Sequence, residues 1–135
     1  MTMIASENPT RDDESRNIVI HVNFSDRDRL VFVLNNVDNI LDYYSDKGNQ
    51  VAIRVVCHGP GLVLLRTDTS PVKDRLEQMA DSLDELSFYA CTNTLNKITK
   101  AEGKQPEIID QATLVPAGLP EIIELQRLGW IYLKP

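Results

Sequence analysis

The sequence predicts a small doubly wound α/β sandwich, with a mainly parallel five-stranded sheet and helices on both faces. Three observations carry this reading. Short β-branched runs alternate along the chain with stretches whose apolar residues recur at spacings of three and four. Strand follows helix throughout, so successive strands are joined by crossovers and run parallel. The run VAIRVVC at 51–57 is apolar nearly throughout, as in a parallel strand covered on both faces.

Taken in order, residues 1–16 are polar, carry mixed charges and contain Pro9, which predicts a flexible tail before a single domain at 17–135. NIVIHVNF at 17–24 reads as the first strand, and Ser25 with Asp28 three residues on reads as a capping box. Leu30, Val33, Leu34, Val37, Ile40, Leu41 and Tyr44 form one buried helical face, which Gly48 terminates. The second strand ends at Cys57, His58 and Gly59, and Ser70-Pro71 reads as a helix start leading to Val72, Leu76, Met79, Ala80 and Leu83. LSFYAC at 86–91 is a third strand, and TNTLNKITKAEG at 92–103 a helix closed by Gly103. A fourth strand lies within 108–115, a helix over 116–129 has Pro120 near its start and Gly129 past its end, and WIYLKP forms the fifth strand.

Composition narrows the function. A chain of 135 residues with 42% hydrophobic and 25% charged residues can bury one core without disulfides or metals. The net charge of −6 and the absence of a Lys/Arg cluster argue against nucleic-acid partners. No apolar stretch approaches the roughly 20 residues of a membrane helix, and the first residues lack the order of a signal peptide, so a cytoplasmic protein without a membrane partner is expected. Cys57 and Cys91 are too few for a disulfide framework and should be free thiols.

In such folds, sites lie beyond the carboxyl ends of the strands, which puts Ser25 to Asp28, Cys57 to Gly61, Cys91 to Thr94 and Pro116 to Gly118 on one rim. FSDRDRL lacks the glycines of a flavin phosphate loop, and Cys91 stands where a phosphate-accepting domain would need aspartate. GPG at 59–61 is neither a dinucleotide fingerprint nor a P-loop, and two Cys with two His match no zinc spacing. No GxSxG elbow is present. No cofactor and no metal is expected.

Cys91 remains. It ends a strand at the start of a helix, where unsatisfied N–H groups favour an anion, so it reads either as a thiolate of lowered pKa or as a small core residue. His58 reads either as a proton holder at the neighbouring rim or as a turn residue bonded to backbone. His21, inside the first strand, reads as a locally satisfied histidine, and Cys57 as core filling. GLVLL at 61–65 reads as a short buried helix or as a surface covered by another subunit.

The set VVCHGPG, FYACTNTL and LVPAGLPEIIELQRLGWIYLKP resembles the DsrE/DsrF-like proteins, a group that includes YchN-like hypothetical proteins, over essentially the whole predicted domain. The resemblance implies a flavodoxin-like three-layer sandwich, assembly as a homotrimer or homohexamer, and a cysteine that carries sulfur as a persulfide between donor and acceptor proteins. Carried over by position, that cysteine is Cys91, with His58 beside it as a second catalytic residue and Gly59, Asn93, Pro116 and Gly118 lining its pocket. Cys57 departs from the small unreactive residue more usual there and leaves open a second thiol. The expectation is therefore a sulfurtransferase-like sulfur carrier. The alternative is a non-enzymatic oligomeric module binding a small anion or nucleotide at the rim. A purely structural or regulatory role has only the acidic surface behind it.

Overall fold

The computed structural model describes residues 16–135. The expected flexible tail lies outside the described residues except for Arg16, which opens strand β1 (Arg16–Val22). Helix α1 (Arg27–Asp46), strand β2 (Val51–Cys57), a 3-10 helix (Gly59–Leu64) and helix α2 (Lys73–Ser82) follow. Strand β3 (Leu86–Cys91), helix α3 (Thr92–Glu102), strand β4 (Ala112–Val115), helix α4 (Gly118–Arg127) and strand β5 (Ile131–Leu133) complete the chain.

Every strand pairing is parallel, and the order is β4-β3-β2-β1-β5. This is the expected flavodoxin-like three-layer α/β sandwich. Its first four strands are laid down in one direction, and the chain then returns across the sheet to set β5 beside β1. Right-handed crossovers moving one way place α1, α2 and α3 on one face, so the single crossover moving back places α4 on the other.

Burial agrees with that geometry. The larger core joins Ile18, Ile20 and Val22 of β1, Val51, Ile53, Val55 and Cys57 of β2, and Leu86, Phe88 and Ala90 of β3 to side chains of α1, α2 and α3. The alternate strand residues Val19 and Val56 meet Ile122 and Leu125 of α4 in a much smaller cluster, with Tyr89 and Trp130 packed against it. On that face the Arg54 guanidinium lies 4.5 Å from the Tyr89 ring centre and 4.8 Å from that of Trp130.

Two local expectations are corrected. Helix α1 is capped at Asp26, with no side-chain capping bond, so Ser25 and Asp28 form no capping box. Ser70 and Pro71 form a turn ahead of α2, which begins at Lys73 once the Ser70 hydroxyl has accepted the Val72 N–H at 3.4 Å. The fourth strand lies within the expected stretch, as Ala112–Val115, and Ile108 ahead of it forms an antiparallel bridge with Arg66. GLVLL resolves to the buried reading: Gly61, Leu62, Leu64 and Leu65 are sealed within the chain, which removes a subunit as the cover for this run. A Cβ on Gly61 would fall 2.0 Å from the Val22 carbonyl oxygen, so the 3-10 helix packs directly on the end of β1.

Candidate functional site

Because all strands are parallel, their carboxyl ends form one rim. The strand order reverses between β1 and β5, and that is where open α/β sheets offer a crevice. Residues from four strands adjacent in space, β5, β1, β2 and β3, meet along this rim on the face covered by α4.

At the β3 end, Cys91 is the N-cap residue of α3, as expected, and is 5% exposed. Its side chain closes no conventional capping hydrogen bond. Burial pushes its thiol pKa up, but the Thr94 hydroxyl and the backbone N–H groups of Thr94, Gly118 and Asn93 outweigh burial and bring it below the ordinary cysteine value. The Gly59 N–H donates to Thr94 Oγ1 at 2.9 Å, which occupies a lone pair and leaves the hydroxyl hydrogen for the sulfur. The donors come from two helix N-termini, those of α3 and α4, so their dipoles converge on one atom.

Each glycine here has its own reason. Gly59 has φ +55°, a left-handed turn that aims its N–H at Thr94. A Cβ on Gly118 would meet His58 Cβ at 2.9 Å and Cys91 Cβ at 3.4 Å, so both side chains lean on the bare start of α4. Asn93 is exposed and contributes its backbone, its N–H also lying 3.3 Å from the Pro116 carbonyl. Cys91, His58, Gly59, Asn93, Pro116 and Gly118 are thus brought together. Ser25 to Asp28 are exposed and make no side-chain hydrogen bond to this group.

Cys57 does not join them. It points through the opposite face of the sheet into the larger core, is wholly buried, and desolvation raises its thiol pKa far above the ordinary value. Cys57 thus has the core-filling place read for it, and the second thiol left open at the site is removed, because strand alternation sends side chains 57 and 58 to opposite faces.

Two residues that the sequence did not place at the site, His21 and Tyr132, complete the rim. His21 Nε2 lies 2.7 Å from His58 Nε2, with the two rings stacked at 4.9 Å, and His21 Nδ1 lies 2.6 Å from the Tyr132 hydroxyl of β5. Desolvation by burial, then the neighbouring His58 and Lys134, push His21 down to about 4. Burial followed by Lys134 also lowers His58. Both imidazoles are therefore neutral at pH 7, and His58 supplies no standing positive charge to Cys91. His21 could have been found by parity, since it has the opposite facing to Ile18, Ile20 and Val22 and stands at the strand's carboxyl end. Tyr132 could not, because its partnership depends on β5 returning beside β1.

A groove of about 460 Å³ adjoins the site between the 3-10 helix and α3, where His58, Thr94, Leu62, Val63, Lys97 and Ile98 line it. Among the described residues no group of three or more His, Cys, Asp or Glu side chains could hold a metal ion, and no helix is long and apolar enough to cross a membrane.

No family model matches the chain, and no curated protein matches it. Among solved structures, it is similar to a protein of unknown function, MTH1491 from Methanobacterium thermoautotrophicum, at 26% identity and a TM-score of 0.75, over 89% of this chain and 99% of that one.

Proposed function

We propose that the protein is a sulfurtransferase-like sulfur carrier that holds sulfane sulfur as a persulfide on Cys91. The observation behind this reading is the set of neutral donors converging on one thiol, two helix N-termini and the Thr94 hydroxyl, strong enough to offset its burial. Thiolate is the attacking form in sulfur exchange, and a persulfide anion is stabilised by the same donors. In the transfer, Cys91 Sγ bonds to the sulfane sulfur of a persulfide or polysulfide donor. The donor's S–S bond breaks, and its electron pair leaves on the donor sulfur, which takes up a proton. The acceptor reverses these roles.

Intact mass after exposure to polysulfide tests the reading. Wild type and Cys57→Ala should gain sulfur, and Cys91→Ala should gain none; sulfur uptake by Cys91→Ala equal to wild type would refute the assignment.

The groove beside Thr94 and Lys97 favours a second reading, a module binding a small anionic ligand or nucleotide. It predicts ligand-dependent thermal stabilisation that persists in Cys91→Ala, and an anion and nucleotide screen without any shift would sink it.

Assembly as a homotrimer or homohexamer belongs to the proposal too. It is supported by Leu119, Ile123 and Leu128 on and beside α4, which are 49%, 49% and 77% exposed. Light scattering that returned a monomer mass would remove it.

A further inference from the structure

We infer that Tyr132, His21 and His58 form a proton relay between solvent and the Cys91 pocket. This rests on the sulfur-carrier reading for its purpose, though not for its geometry.

The three side chains come from β5, from β1 and from the residue after β2, neighbours in space across the rim, and Cys91 of β3 is the next step in the same line. Contacts of 2.6 and 2.7 Å join them in series. The outer end, Tyr132, is 38% exposed and so reaches water. At the inner end, His58 leans with Cys91 on Gly118, and its Nδ1 is the ring nitrogen not engaged by His21.

A hydrogen bond between two Nε2 atoms requires that one of them carry the proton and the other accept it. With both rings neutral, only two arrangements fit. In the first, His58 Nε2–H donates to His21 Nε2, and His21 Nδ1–H donates to the Tyr132 oxygen, which leaves His58 Nδ1 unprotonated, as a base. In the second, Tyr132 O–H donates to His21 Nδ1, His21 Nε2–H donates to His58 Nε2, and His58 Nδ1 carries a proton it can give away.

Passing from the first to the second takes one proton up at His58 Nδ1 and releases one from Tyr132 to water, with every bond reversed and no side chain charged. The reverse step gives the His58 Nδ1 proton into the pocket and takes one from solvent at Tyr132. Charging either ring is opposed by burial and by Lys134, whose field reaches both imidazoles, so transfer by tautomer exchange is the route this environment permits.

Sulfur transfer needs such a device. When Cys91 loses its thiol proton and the donor sulfur departs as a thiolate, one proton has to leave one atom and reach another inside a site with little access to water. His58 in its two tautomers takes the first and supplies the second.

The test uses the full chain. With ¹⁵N-labelled histidine at pH 7, and His58→Gln to assign the signals, nitrogen shifts should place the proton on Nε2 of one ring and Nδ1 of the other, or average between those complementary forms. Two identical tautomers, or a charged ring, would overturn the relay.

In Tyr132→Phe, sulfur uptake from polysulfide should slow by about tenfold or more, and alkylation of Cys91 by iodoacetamide, which needs the thiol proton removed but none returned to its iodide, should slow severalfold less. Unchanged sulfur uptake, or equal slowing of both reactions, would also overturn it. If wild type takes up no sulfur at all, the carrier reading fails, and the nitrogen shifts alone decide the relay.

Discussion

On one face of the sheet, α1, α2 and α3 seal Val55, Phe88 and Cys57 completely; on the other, α4 alone covers Val19 and Val56, and the strand ends beyond it carry His21, Cys91 and Tyr132. The two cysteines show what the difference does. They stand on neighbouring strands, one register step apart, since Cys57 is level with Ala90. Burial without donors drives one thiol pKa up, whereas burial among converging N–H groups leaves the other below its ordinary value. Depth of burial therefore does not separate an inert thiol from a reactive one here. The polar groups brought to the sulfur do, and only the thinly covered face has room for them.

The contrast can be broken by substitution, most severely on the thick face. Phe88→Ala, which empties the largest fully buried side chain, should lower unfolding free energy by about 4 kcal/mol in a urea titration. The folded fraction should still load sulfur at Cys91. Equal losses from Phe88→Ala and Ile122→Ala would show that the two faces are energetically alike.

The next effect is one of pH. His21 titrates at about 4 when folded and near 6.5 when unfolded, so the unfolded chain binds more protons between those values. Stability is therefore fully present above pH 6.5 and is lost as pH falls toward 4, by up to about 3 kcal/mol. Urea titrations of wild type and His21→Gln across this window should differ by that slope, and parallel curves would mean that His21 is no more buried folded than unfolded.

Smaller again is the exchange of sulfur for oxygen at the two thiols. Cys57→Ser places a hydroxyl in an apolar core and should cost about 2 kcal/mol while leaving sulfur loading intact. Cys91→Ser should stay within about 1 kcal/mol of wild type, because donors already await an oxygen there, and should load nothing. A reversal of these two outcomes would invert the assignment of faces. Gly118→Ala should likewise change stability by only about 1 kcal/mol as His58 is pushed aside. Its sulfur uptake should fall much further, and unaltered uptake would show that the contact with His58 and Cys91 is incidental.

How much of this was legible in the sequence follows from the range of the interactions. Alternating strands and amphipathic helices are local, so the parallel sandwich, the place of Cys91 at a helix start and the glycine stop at Gly103 could be read directly. The capping at Ser25 and the helix start at Ser70-Pro71 failed within two residues of the right place, because tertiary packing moved the first helical residue to Arg27 and Lys73. Thr94 was within reach, standing three residues after Cys91 on the same helix end. His21 with Tyr132 was not, since 111 residues separate them and only the return of β5 to β1 makes them neighbours.

That return has a consequence for hydrogen exchange. Strand β5 is three residues long, lies at an edge, and has all of its side chains exposed, so its amides should open at free energies far below that of global unfolding. Strand β1 next to it lies inside the sheet and should exchange slowly. The histidine chain thus spans a gradient of local stability, with its inner end on slow-exchanging backbone and its outer end on fast. The Pro135 carbonyl accepts from Arg29 Nε and Nη2 of α1 at 2.9 and 2.7 Å, which holds the segment just past β5 against that fraying. Anything that pairs with the free edge of β5 would slow its exchange further and, through Tyr132, reach the cysteine two strands back in the chain's own order and three across the sheet.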